Sequence, residues 1–174
     1  MEANMNKNLT LKNVRITFRN FRGRGSQFNR EGCRKFSIVL DPEIAGRIAA
    51  DGWKVKTKAP REEGDNPLLY LEAELKYKNM KGEDVQRPPK VVMIRGGKQK
   101  ELTENSVGIL DTAEIENVDV TLRPYNWEMK TARGMETGIK AYVKTLYVTI
   151  AMDELEAMYA DLDEDEDEEE VPFD

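Results

Sequence analysis

Short runs of this sequence alternate apolar and polar side chains, which is the period of a half-buried β-strand. In residues 9–21, Val14, Ile16 and Phe18 alternate with polar residues, so we expect these three side chains in a core. A strand with one apolar face must bury that face against other elements. The alternation therefore predicts a mainly β fold.

The rest of the sequence extends this pattern. Asp41-Pro42 is a helix start, and Gly52 ends a short helix that we expect to run through about Ala50. Residues 107–114 fit either a helical turn or a loop. Five to seven strands with short helices favour a small β-barrel or sandwich with accessory helices. The further predicted strands are residues 34–40, 53–58, 68–78, 91–94, 116–129 and 139–151, and the second predicted helix is residues 153–162.

Charge divides the chain into two parts. The formal net charge is −6, yet all 27 Lys and Arg residues lie within residues 1–150, where they exceed 20 Asp and Glu residues. Residues 161–174 contain ten carboxylates and no basic group. Such a block cannot neutralise or bury itself, so we expect a disordered acidic tail. The predicted domains are a folded body, residues 1–160, and this tail, residues 161–174.

The composition argues against several classes of protein. There are no histidines and one cysteine, Cys33, so His-dependent catalytic or zinc sites and an internal disulfide are excluded. No apolar run is long enough to span a membrane, and residues 1–7 lack a signal core. We therefore expect a cytoplasmic protein with no enzymatic activity, cofactor, metal or membrane partner.

The segment Arg123-Pro-Tyr-Asn-Trp127 carries the clearest functional signal. Strand alternation directs Arg123, Tyr125 and Trp127 to the face opposite the core. The neighbouring strand adds Lys140, Tyr142 and Lys144 on one face. Cations bind phosphates and flat rings stack on unpaired bases, so this face suits single-stranded nucleic acid. Alternatively, Tyr125 and Trp127 cap the end of the core.

Two other segments combine cations with aromatic rings. The first is an arginine-rich strand and loop, for which a solvated basic face is the alternative. The second surrounds Trp53, which follows a helix and could instead seal the core. The predicted phosphate contacts here are Arg15, Arg19, Arg22, Arg24, Lys54 and Lys56, and the predicted stacking residues are Phe21, Phe28 and Trp53.

The acidic tail has two interpretations. It could be only a solubilising charge block. It could instead imitate a polyanion and compete for the basic body, to which it is tethered at high effective concentration. Its apolar tip, Val171-Pro172-Phe173, gains nothing in solubility from an exposed ring and is typical of a docking motif. We predict that the tip binds a partner protein.

Together these segments resemble single-stranded-DNA-binding proteins of tailed bacteriophages. The resemblance covers most of the chain, with Asp174 after Phe173 as a departure, since bacterial proteins of this kind usually end in Phe. The blocks that carry it are Ile16-Thr-Phe-Arg-Asn-Phe21, Asp51-Gly-Trp-Lys-Val55, Ile115-Glu-Asn-Val-Asp-Val120, Arg123-Pro-Tyr-Asn-Trp127, Gly138-Ile-Lys-Ala-Tyr142 and the tail.

The resemblance implies an OB-fold barrel that binds single-stranded DNA with little sequence preference. It also implies a role in phage DNA replication or recombination in the cytoplasm of an infected bacterium, with the tail recruiting replication or recombination proteins. Homo-oligomers are possible, because one OB barrel contacts only about 4–16 nucleotides. Two alternatives remain open: a single-strand annealing protein, and a chaperone or interaction protein that acts through its acidic tail.

Overall fold

A computed structural model describes residues 7–27 and 29–152. The elements follow in chain order as β1 (Leu9–Asn20), β2 (Arg34–Leu40), α1 (Pro42–Ala50), β3 (Val55–Lys58), β4 (Leu68–Leu75), β5 (Lys90–Arg95), β6 (Lys98–Leu102), a 3₁₀ helix (Val107–Asp111), β7 (Ile115–Thr131) and β8 (Gly134–Ile150). None of the helices within this part of the chain has the length and apolar character of a membrane span.

Five of the strands close into a barrel. The antiparallel neighbours run β4-β2-β1-β7-β8, and a parallel pairing of Ala73 with Ala141 and Glu74 with Tyr142 joins β4 back to β8. Outside the ring, β3 pairs with β4, β5 pairs with β8, and β6 pairs with β5. The prediction of a mainly β, OB-type barrel is confirmed.

The core fills the barrel interior with the apolar sides of these strands. Val118, Val120 and Leu122 of β7 are almost completely buried, as the alternation predicted. Leu71, Ala73 and Leu75 alternate inward from β4, and Ile139, Ala141 and Val143 do so from β8. Because successive side chains of a strand point to opposite faces, the residues between these point out of the barrel.

The helix α1 begins and ends as the sequence predicted. The Asp41 side chain accepts a hydrogen bond from the Ile44 amide at 2.9 Å, and Pro42 occupies the first turn. Such capping satisfies an amide that has no partner within the helix. Gly52 follows the helix with φ of 102°, a backbone conformation that glycine adopts without strain.

The predicted alternation of β1 is wrong at Phe18. The pairing register with β2 shifts between Thr17 and Asn20, and Phe18 itself has a φ of 50°. A bulge of this kind reverses which side chains face the interior. Phe18 is consequently 48% exposed, whereas Phe21 is fully buried.

Several predicted boundaries differ from the observed ones. The Gly96-Gly97 turn leads into β6, which the sequence did not predict, and residues 107–111 form a 3₁₀ helix where two interpretations were open. β7 and β8 each have 17 residues and pair as far as Thr131 and Gly134. The predicted helix at 153–162 and the acidic tail lie outside the described residues, so the two-domain division stays a prediction.

Candidate nucleic-acid interface

The outer face of the β7–β8 ribbon brings together the side chains that the sequence singled out. Arg123 pairs with Tyr142, Tyr125 with Lys140, and Trp127 with Gly138. Directly paired residues of an antiparallel ladder project from the same face. Since Leu122, Ile139 and Ala141 face the core, this set faces outward.

Two tyrosines and a tryptophan cover much of this face. The Tyr125 and Tyr142 rings meet edge-on, with centroids 5.7 Å apart and planes at 60°. Tyr125 is 53% exposed, and Tyr142 and Trp127 are half-buried. The Trp127 indole lies over Gly138, where a Cβ would approach Cζ2 to 2.7 Å. The glycine therefore allows the indole to lie close against the ribbon.

Two lysines flank the Tyr142 ring. Their ammonium nitrogens lie 5.2 Å (Lys76) and 5.4 Å (Lys140) from its centroid, within the range of cation–π attraction. Lys140 also forms a 2.9 Å ion pair with Glu74, the residue that pairs with Tyr142 across the barrel seam. Burial favours the neutral amine, but the hydrogen bond and charge of Glu74 outweigh it, so the pKa of Lys140 is raised.

Cations also line two open depressions beside the aromatic face. One, of about 460 Å³, is bounded by Asn8, Arg87, Arg123, Pro124 and Lys144. The other, of about 230 Å³, shares Arg87 and Arg123 and reaches Lys76 and Tyr142. The two depressions share Arg87 and Arg123, and together we call them the basic channel.

Comparison with known families identifies the family of this chain. A family model described as a putative phage single-stranded-DNA-binding domain matches residues 2–172. The chain belongs to this family. The predicted resemblance to phage single-stranded-DNA-binding proteins is thereby confirmed, and with it single-stranded DNA binding as the function. Comparison with curated proteins gives no match.

Three of the solved structures to which this chain is similar are as follows. The single-stranded-DNA-binding protein of bacteriophage Enc34 in complex with ssDNA is 14% identical with a TM-score of 0.48, over 84% of this chain and 88% of that one. A C-terminal truncation of the Enc34 protein is 13% identical with a TM-score of 0.48, over 84% and 87%. Bacteriophage T7 gp2.5, a single-stranded-DNA-binding protein, is 11% identical with a TM-score of 0.40, over 97% and 98%.

Phe21 and Trp53, two of the residues predicted to stack on bases, are buried. Their burial does not fit a stacking role. Phe21 has no exposed surface and stacks on Phe36 with centroids 5.1 Å apart. Trp53 is 4% exposed, because the chain leaving α1 forms an isolated bridge to Ile139 and holds the indole against the core. Phe28 and Val171-Pro172-Phe173 lie outside the described residues, and their predicted roles stay predictions.

The predicted phosphate contacts of β1 and its loop are not equivalent. Arg19 donates from Nη1 to the carbonyls of Leu110 and Ala113 at 2.8 and 2.7 Å, which ties β1 to the 3₁₀ helix. This placement favours a structural role for Arg19. Arg22 is exposed but makes a long 3.4 Å contact from Nε to the Gly108 carbonyl. Arg15 and Arg24 are exposed and lie away from the β7–β8 face in sequence, on β1 and its loop.

The lysines near β3 also differ from one another. Lys54 is exposed, whereas Lys56 lies 3.4 Å from one carboxylate oxygen of Glu72. The other carboxylate oxygen of Glu72 lies 3.7 Å from Lys35. Across the part of the chain that the structure describes, no group of three or more His, Cys, Asp or Glu side chains is arranged to hold a metal ion.

Sequence reasoning missed Lys76 and Arg87. For Lys76 a signal existed, since the alternation of residues 68–78 directs it outward with Glu72 and Glu74. Its position beside Tyr142 depends on the parallel β4–β8 pairing, which no local pattern reveals. Arg87 precedes two prolines in a connection between strands, and nothing in that segment indicates its distant neighbours.

Proposed function

We propose that the β7–β8 face and its basic channel are where this protein binds single-stranded DNA. Unpaired bases would stack on Tyr125, Trp127 and Tyr142. Phosphates would follow Arg87 and Arg123, with Lys76, Lys140 and Lys144 adding charge around them. The observation that carries this proposal is the meeting of three accessible rings with five cations on one outer face.

The chemistry of this face explains a preference for single strands without a strong preference for sequence. Base faces are accessible to aromatic rings only when the bases are unstacked from a duplex. Ring faces and phosphates are common to all nucleotides, so contacts with them carry little sequence information. The Glu74–Lys140 ion pair would moderate affinity, since the carboxylate neutralises one cation of the face.

A titration of labelled oligonucleotides tests the proposal. Tyr125→Ala removes a ring that is 53% exposed and should weaken binding to a single strand by about 5- to 150-fold, the value of one stacked base. The matched control is Met80→Ala, which removes a side chain that is 90% exposed in a turn. Equal affinity for duplex and single strand, or equal affinity of the two variants, would refute the assignment.

We further propose that the acidic segment, residues 161–174, competes with DNA for the basic face and recruits replication or recombination proteins through Val171-Pro172-Phe173. Charge complementarity between a basic body and a carboxylate block supports this. Deleting the segment should maintain or strengthen DNA binding and abolish capture of such a partner. Loss of DNA binding on deletion would instead favour the acidic-tail interaction protein.

We also infer that the protein acts without enzymatic activity, in the cytoplasm of an infected bacterium. Burial first, and then the negative charge of Glu74, raise the pKa of the Cys33 thiol above its usual 9.0, which disfavours the thiolate that a nucleophile would need. An annealing assay with complementary strands separates simple binding from the annealing alternative, which would predict accelerated pairing.

A further inference from the structure

A second aromatic cluster with a cation lies on the outer surface of the barrel, apart from the β7–β8 face. The rings of Phe18 and Tyr70 meet edge-on with centroids 5.5 Å apart. Lys58 places its ammonium nitrogen 4.9 Å from the Phe18 centroid. The cluster joins Phe18 of β1 to Lys58 of β3 and Tyr70 of β4, which are distant from Phe18 in sequence, so only the fold brings them together.

Phe18 has an unfavourable backbone conformation, and its apolar side chain is exposed to solvent. Its φ of 50° lies in the left-handed region, which bulky side chains rarely adopt. The ring is also 48% exposed and so gains little from burial. A strained residue that does not stabilise a core indicates a constraint from function.

Further cations extend this cluster across the sheet. In register, Arg15 of β1 pairs with Val39, Val39 with Tyr70, and Tyr70 with Lys56 of β3. These side chains share a face because they are direct cross-strand partners. The cluster therefore combines aromatic rings with three cations, Arg15, Lys56 and Lys58, which is the same chemistry as on the β7–β8 face.

One strand connects the two clusters. On β4, Tyr70 and Glu74 both face outward, since Leu71 and Ala73 are buried. Glu74 pairs with Tyr142 of the β7–β8 face. Four residues along β4 at 3.3 Å each and one strand spacing of 4.8 Å give a separation of about 14 Å between Tyr70 and Tyr142. A single bound strand can cover that distance.

We propose that Phe18 and Tyr70 form a second base-stacking subsite, which binds a base of the same DNA strand that occupies the β7–β8 face. Lys58, Lys56 and Arg15 would hold the neighbouring phosphates. This inference rests on the proposed function and extends its footprint around the barrel. It also accounts for an aromatic ring that is held at the surface at the cost of backbone strain.

Phe18→Gly provides the test, because glycine adopts a positive φ without strain. The variant should be at least as thermally stable as the wild type. It should nevertheless bind an oligonucleotide of about 15 nucleotides 5- to 150-fold more weakly, the value of one stacked base. Met80→Ala is the control and should bind as the wild type does. Wild-type affinity of Phe18→Gly for the long strand would overturn the inference.

A fluorescent reporter gives a second and independent readout. Phe18→Trp, made together with Trp127→Phe, leaves the buried Trp53 and one exposed indole in the new cluster. Saturating single-stranded DNA should quench the emission of that indole. No quenching at saturation would refute the subsite while leaving the β7–β8 assignment intact. If the wild-type protein fails to bind single strands, the proposed function itself is refuted.

Discussion

Gly138 offers a way to perturb the proposed DNA-binding face, the outer face of the β7–β8 ribbon, without removing any of its side chains. A methyl group on Gly138 would lie 2.7 Å from Trp127 Cζ2, 2.9 Å from Cε2 and 3.0 Å from Nε1. Contacts between carbon atoms are optimal at about 3.5–4.0 Å, so the indole must move by about 1 Å or change rotamer. We therefore expect Gly138→Ala to displace Trp127 from its position on the ribbon.

The expected magnitudes differ between folding and binding. A side chain forced about 30° from its preferred rotamer costs of order 0.5–1.5 kcal/mol, so the fold should persist. A misplaced indole loses up to the whole of one base stack, about 1–3 kcal/mol, which lowers the affinity for a single strand by as much as 5- to 150-fold. The loss in the free energy of DNA binding should thus exceed the loss in the free energy of unfolding.

A double-mutant cycle, measured by fluorescence titration with single-stranded oligonucleotides, isolates the cause. In a Trp127→Ala background, Gly138→Ala should have almost no further effect, because the side chain that it displaces is absent. Acrylamide should also quench the displaced Trp127 more readily, while Trp53, which is 4% exposed, stays protected. Full additivity of the two substitutions, or unchanged binding by Gly138→Ala, would refute this reasoning.

Three further predictions test other parts of the molecule. Arg123→Gln should reduce the slope of log affinity against log salt by about 0.7 if Arg123 contacts one phosphate, which titrations at several salt concentrations measure. Arg19→Gln should lower the free energy of unfolding by about 1–3 kcal/mol in urea melts, because two carbonyls lose their donor. DNA affinity well below the melting temperature should then stay within twofold of wild type, and a larger loss would restore Arg19 as a phosphate contact. Burial raises the pKa of Tyr77 to about 12 from 10.0, so its stabilising contribution is complete below pH 10 and is lost as the pH rises toward 12. Tyr77→Phe should lack that alkaline loss in urea melts between pH 9 and 12, and parallel stability curves would contradict the assignment.

The ion pairs beside the proposed DNA-binding face would affect its affinity for DNA. Glu72 contacts Lys35 and Lys56, and Glu74 contacts Lys140. Phosphates that approach these lysines must compete with carboxylates that are already in place. The acidic segment at 161–174 would act in the same direction if it reaches the face. Affinity would then depend on salt through both sets of charges.

Local patterns in the sequence determined much of this protein. The alternation of Val118, Val120 and Leu122 predicted their burial, and the same period directed Tyr125 and Trp127 outward. These predictions hold because the face of a strand residue depends only on parity along an uninterrupted strand. The helix α1 was predictable for a similar reason, since its cap and stop signals are adjacent in sequence.

Only the tertiary structure decided where the inward–outward alternation of side chains shifts and which strands pair. The bulge in β1 exposes Phe18 and buries Phe21, a reversal that arises from pairing with β2. The parallel contact of β4 with β8 brings Lys76 and Glu74 to Tyr142, across a separation of more than sixty residues. Sequence periodicity shows only which residues within one strand share a face. Register shifts and barrel closure depend on the packing of strands that are far apart in the chain, so they appear only in the folded molecule.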